Sequence, residues 1–282
     1  MTSTSVQQSA RANASNSHAP GSTRGVSRRA FVVLVLGGLV GAVALLPYAL
    51  ALNPPQLAPG GPPLVLLLAV SVAQTWVLVA GAAALGLWLG PQVGLGAPLL
   101  LQWLSGEPAA AHRVRATVLP SALAGIATGA AVLLLDVFVF APRLPRDVTA
   151  GGTQTTTTTW WQGLLASLYG GLDEEILLRL GLMTLLVWLG ARLTRARRPR
   201  DAVYWAGNVL AALLFGLGHL PATAALVPLT PLVVARALVL NGIAGVVFGW
   251  LYWRQGLLAA MLAHFAADLV LHAISPSLGA GG

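Results

Sequence analysis

Four acidic side chains, Asp173, Glu174, Glu175 and Asp268, and three histidines, His219, His264 and His272, stand inside long apolar stretches of this chain. The whole sequence has only eight acidic residues and five histidines, so their concentration there demands a reason. A charge at the centre of a bilayer costs roughly 2.5–3.5 kcal/mol even on lenient insertion scales. Packing does not require that expense, because small residues pack membrane helices more cheaply. Carboxylates and imidazoles together are the groups that move protons and activate water. Asp136, nearer the outer end of its stretch, stands apart and reads as a structural polar contact.

Three short patterns carry the chemistry. The first is Gly171-Leu172-Asp173-Glu174-Glu175-Ile176-Leu177-Leu178-Arg179. On a helix Glu175 and Arg179, four apart, share a face and can neutralise each other. Glu174 points about 140° away from Arg179 at 3.6 residues per turn. It is therefore the less compensated carboxylate, suited to accept a proton from water. A purely structural ion pair is the alternative for this segment. The second pattern is Phe215-Gly216-Leu217-Gly218-His219, with Phe and His on one face and glycines that admit a neighbouring backbone. Alone, it fits an interior histidine as well as a catalyst. The third is His264-Phe265-Ala266-Ala267-Asp268, both polar groups again on one face with small residues between. His272 lies a turn further along the same stripe and reads as an interfacial histidine. Ser167, seven residues before Glu174, has no matched base and reads as a packing residue.

The elements that must position these groups are membrane helices. The 282 residues are 56% hydrophobic and 9% charged, far below the charge of a soluble domain. Apolar runs of about 20 residues match a bilayer core of ~30 Å. Seven such spans are expected near 31–52, 64–90, 116–141, 160–190, 202–227, 231–253 and 256–275. The piece 93–104 is too short to cross, and an eighth span there would upset the charge pattern. The fold class is thus all-α, a polytopic transmembrane bundle of about seven spans. Residues 1–30 read as a disordered cytoplasmic tail, 31–275 as the bundle and 276–282 as a short tail. Ser27-Arg28-Arg29-Ala30-Phe31, with Ala49-Leu50-Ala51 beyond it, has the form of a twin-arginine export signal. A first membrane helix with its arginines inside explains the same residues and is preferred.

All 16 basic residues are arginine. Arg24, Arg28 and Arg29, Arg113 and Arg115, Arg192 to Arg200, and Arg254 fall on one side of a seven-span arrangement. The other side's loops hold Arg143 and Arg146, the latter beside Asp147. Positive charge inside therefore places the N-terminus in the cytoplasm and the C-terminus outside, in the inner (plasma) membrane. This distribution also explains the net charge of +8 without any nucleic-acid partner. The run Thr155 to Thr159 reads as a polar connector, Trp160 and Trp161 as an interfacial start, and Pro228 and Pro231 as the brackets of a tight turn. No cysteine is present, which removes disulfides and thiolate metal sites.

Glu174-Glu175-x-x-x-Arg179, Phe215-x-x-x-His219 and His264-x-x-x-Asp268, in that order on separate helices, resemble the CPBP family of intramembrane proteases. That family includes the type II CAAX prenyl endopeptidases and bacteriocin-processing and immunity proteins. The resemblance covers about residues 115–275. The last motif ends in Asp, which the family also uses in place of Asn. The resemblance implies an endopeptidase that cuts a peptide bond in or near the membrane. Glu174 with His219 would activate water, His264 and Asp268 would face the oxyanion, and Glu175 with Arg179 would orient Glu174.

A metal is left open by the same resemblance. Glu174, His219 and His264 could form a Zn²⁺ site of two imidazoles and a carboxylate, yet a glutamate-activated water needs no metal. HExxH is absent. The expected partners are the lipid bilayer and a peptide or membrane-protein substrate. A non-hydrolytic binding or immunity protein of the same fold is the first rival. A proton-coupled transporter is the second, disfavoured because the polar residues crowd into the C-terminal half without an internal repeat.

Overall fold

In the computed structural model, residues 20–52, 61–144, 158–195 and 198–274 are described. Among them every regular element is helical. The segments 1–19 and 276–282 of the expected tails, and most of the threonine-rich connector, lie outside the described residues.

Seven helices are long and apolar enough to cross a membrane. The first, α1, spans Pro20–Leu52. It begins about ten residues before the expected span, so the stretch from residue 20 to 30 is helix rather than tail. Next come α2 (Leu64–Val93), the short α3 (Pro98–Leu104) and α4 (Ala110–Arg143). With seven residues, α3 covers only about 10 Å at 1.5 Å per residue, so the piece 93–104 makes no eighth crossing. The last four are α5 (Trp160–Leu193), α6 (Asp201–Ala224), α7 (Pro231–Gln255) and α8 (Leu257–Ile274). α5 starts at Trp160, as the aromatic pair indicates, behind a capping box in which Thr159 and Gln162 satisfy each other's ends. Thr230 Oγ1 accepts from Val233 N and opens α7 beyond the proline turn.

Lipid is as apolar as leucine, so helices associate in it through close backbone approach and polar contacts rather than a hydrophobic drive. The seams show this. Gly125 and Gly129 of α4 face Ala263 and Ala267 of α8, and a Cβ at Gly125 would run into Ala263 O. Gly245 and Gly249 of α7 face Ala212 and Asn208 of α6. Asn208 Nδ2 also donates to Val246 O across that seam at 2.9 Å. α5 sits at the centre, packed by α1, α2, α6 and α8. Below the site, Tyr252 Oη joins Thr184 Oγ1 at 2.7 Å and accepts from Gly96 N at 2.8 Å, tying α7, α5 and the loop before α3 together.

Candidate active site

α5 is not a uniform α-helix. Two wide π turns, Gly170–Glu174 and Ile176–Met183, flank Glu175. Turns of this kind recur at functional sites, where they re-aim side chains. Here the consequence is that adjacent residues serve one partner. In a regular helix neighbours diverge by about 100°. Yet Glu175 Oε1 lies 2.8 Å from His264 Nδ1 while Glu174 Oε2 lies 3.4 Å from His264 Nε2. Asp268, one turn along α8 from His264, brings Oδ2 to 3.6 Å from the same Nε2. Three carboxylates therefore surround one imidazole.

The approach of α5 to α8 depends on Gly170 and Gly171. A Cβ at Gly170 would overlap Asp268 Oδ2 and stand 3.1 Å from His264 Nε2; one at Gly171 would meet Met261 O and Phe265 Cβ at 3.0 Å. Glu175 and Arg179 pair at 3.2 Å, both almost fully buried. Arg179 also donates to Gly245 O at 3.0 Å, its guanidinium 5.4 Å from the Phe215 ring centre and 5.7 Å from that of Phe248. Phe248 stacks on His264 with centroids 4.6 Å apart. The imidazole is thus clamped between a ring and two carboxylates.

His219 stands where the long helix of α6 ends, the backbone breaking before Leu220. Its Nδ1 lies 2.9 Å from Phe215 O. An N–H there donates to that carbonyl and leaves Nε2 as an acceptor. Phe215 meets His219 edge-on at 4.6 Å and His264 at 5.9 Å, so one ring separates the two histidines. Among the described residues, His219 makes no ion pair with Glu174. The partner the structure gives Glu174 is His264.

The carboxylates differ in access. Glu175 and Asp173 are fully buried, while the Glu174 side chain is 18% exposed. Asp173 faces α1, where a Cβ at Gly41 would overlap its Oδ2, and neither of its carboxylate oxygens has a hydrogen-bond partner among the described residues. Ser167 donates to Gly163 O at 2.8 Å within its own helix, in keeping with a packing role.

No three His, Asp or Glu side chains among the described residues converge as ligands of one metal ion. His264 has one nitrogen on Glu175 and the other between Glu174 and Asp268.

Two partners escaped the sequence reading, Arg236 and Tyr48. Asp136 is not alone: Arg236 of α7 grips it with Nε at 2.6 Å and Nη2 at 2.5 Å. An arginine inside an apolar span was the signal, since such a residue needs a counter-charge. His272 is more than an interfacial histidine, because Tyr48 of α1 lies 3.1 Å from its Nδ1.

Fold and site together define a polytopic helical membrane protein built round a buried carboxylate–imidazole centre. Residues 156–270 match the model of the family described as type II CAAX prenyl endopeptidase Rce1-like. The chain carries a domain of that CPBP family, and the matched stretch contains Glu174, Glu175, Arg179, His219, His264 and Asp268. Comparison with the curated proteins and with the solved structures gave no match.

Proposed function

We propose that the protein is an intramembrane endopeptidase in which Glu174 activates water for attack on a peptide carbonyl. The observation that carries this reading is the contrast between adjacent carboxylates. Glu175 is consumed by Arg179 and His264 in a dry pocket, whereas Glu174 keeps one oxygen on His264 and has room beside it. A base must reach its water, and only the accessible carboxylate can.

In the first step a water O–H bond breaks, its proton passes to Glu174 and the oxygen adds to the carbonyl carbon. His219 Nε2 accepts from the same water and orients it. His264, as the imidazolium with Nδ1–H on Glu175, donates toward the oxyanion from Nε2; a fixed donor in a water-poor site is worth far more than one in bulk water. Collapse returns the proton from Glu174 to the leaving amine. Glu175 and Arg179 hold the α5 turn that aims Glu174.

The substrate is a peptide or membrane-protein segment met in the bilayer. The arginines at the Arg24, Arg113, Arg192 and Arg254 ends of the helices support an N-terminus in the cytoplasm of an inner (plasma) membrane.

The test is cleavage of a quenched fluorescent peptide library by detergent-purified protein, with Glu174→Gln, His219→Ala and a chelator as separate arms. Cleavage abolished by both substitutions is expected, and the chelator arm decides whether a metal is needed. Cleavage that survives Glu174→Gln refutes the mechanism. A wild type as inert as its variants moves the binding or immunity reading to first place.

A further inference from the structure

The buried site has a polar extension that leads out of it. On α8, His264, Asp268 and His272 follow at intervals of four, so they form one row along the helix. Asp268 spans the gap: Oδ2 faces His264 Nε2 at 3.6 Å, and Oδ1 faces His272 Nε2 at 3.9 Å. The second distance is long for a direct bond and suits a small side-chain rotation or a single bridging water. The His272 side chain is 39% exposed on the last turn of α8. At its far nitrogen, Nδ1, stands Tyr48 Oη at 3.1 Å, the phenol ring edge-on with centroids 5.5 Å apart. Nearby, Gln162 Nε2 of α5 donates to Pro47 O at 3.1 Å and pins the same turn of α1.

Neither Tyr48 nor His272 lies within residues 156–270, the stretch matched by the family model. Nothing in that match requires them. Yet a neutral imidazole has one donor and one acceptor nitrogen, and which is which follows from the bond the other makes. Tyr48 Oη meets no other hydrogen-bond partner among the described residues. A phenol O–H donating to Nδ1 forces the proton of His272 onto Nε2, the nitrogen that faces Asp268. That proton then faces Asp268 Oδ1 across 3.9 Å, while Oδ2 stays toward His264 Nε2 at 3.6 Å.

We propose that Tyr48 and His272 are positioning residues of the site: Tyr48 sets the tautomer of His272, and His272 presents an N–H that holds Asp268 against His264. The inference deepens the endopeptidase reading and rests on it for its kinetic consequence. Its structural core, the tautomer of one histidine, does not. α1 is thereby more than a packing helix. It supplies the outermost group of a four-membered row ending at the imidazole that faces the oxyanion.

Tyr48→Phe keeps the ring contact and removes only the hydroxyl. His272→Ala removes the donor, and His272→Gln returns an amide N–H at nearly the same reach. With the peptide that wild type cleaves, His272→Ala is expected to lower kcat by about 10- to 100-fold with KM little changed, the scale on which misplacement of a catalytic group acts. Tyr48→Phe is expected to lose less, His272→Gln to recover most of the loss, and imidazole in the buffer to restore part of the His272→Ala activity through the exposed side of that position. Loss of cleavage in Glu174→Gln, run in parallel, reports on the endopeptidase reading separately. Independent of any cleavage, ¹⁵N NMR of the imidazoles, with His272→Gln to assign the signal, should show His272 protonated at Nε2 in wild type and shifted away from that tautomer in Tyr48→Phe. An unchanged tautomer overturns the proposal even if no peptide is cut. So does a His272→Ala loss that neither glutamine nor imidazole relieves, which would mark a structural contact.

Discussion

Replacing Arg179 with leucine should be the most damaging single change near the site, and the structure says by how much. Arg179 and Glu175 are 2% and 0% exposed at 3.2 Å, so neither can turn to water when the other is lost. Breaking such a pair by deleting one member costs about 3–5 kcal/mol, because the remaining charge is left buried and uncompensated. The cost is not only electrostatic. Glu175 Oε2 already lacks a hydrogen-bond partner among the described residues, and Gly245 O would lose its donor as well. Arg179→Leu should therefore unfold several degrees earlier in detergent and cut no peptide. The sharper comparison is Arg179→Leu combined with Glu175→Gln. This double variant removes the orphaned charge while the amide oxygen still accepts from His264 Nδ1, so at least half of the lost stability should return. Thermal unfolding followed by intrinsic tryptophan fluorescence reads both, and the nine tryptophans of the chain make the signal strong. An Arg179→Leu protein as stable as wild type, or a double variant worse than the single, would show that the pair is not what holds α5 to its neighbours.

Gly170→Ala should still fold but cleave more slowly: its methyl group enters the space of Asp268 Oδ2 and crowds His264 Nε2, so a loss of at least ~10-fold in kcat is expected. Equal activity would mean that the α5–α8 spacing is not critical. Asp136→Asn should leave cleavage intact but lower stability, since Arg236 would keep its charge inside an apolar span without the carboxylate that pairs with it. A large loss of cleavage in that variant would place the α4–α7 pair in the site.

Much of the molecule was legible one helix at a time. Seven apolar runs gave seven spans, because hydropathy over about 20 residues is a local property that the bilayer enforces on each segment separately. The i, i+4 spacings gave Glu175 with Arg179 and His264 with Asp268, because neighbours on one helix face are fixed by helical pitch. Arginine positions likewise marked the helix ends. The carboxylates and histidines also stood out locally, because such groups are costly inside an apolar run.

Relations between helices were another matter. Pitch counted at 100° per residue sends Glu174 away from its neighbour, but two wide turns in α5 let both glutamates meet one imidazole on α8. No spacing within α5 names that imidazole. Arg236 inside an apolar span calls for a counter-charge, but that the partner is Asp136, 100 residues away, and that Tyr48 meets His272, 224 apart, no local pattern says. Such contacts depend on which glycine faces which backbone, as at Gly125 against Ala263 and Gly170 against Asp268. A sequence carries the faces of each helix in its own periodicity; close packing among all of them decides which faces meet, and only the folded bundle holds that information.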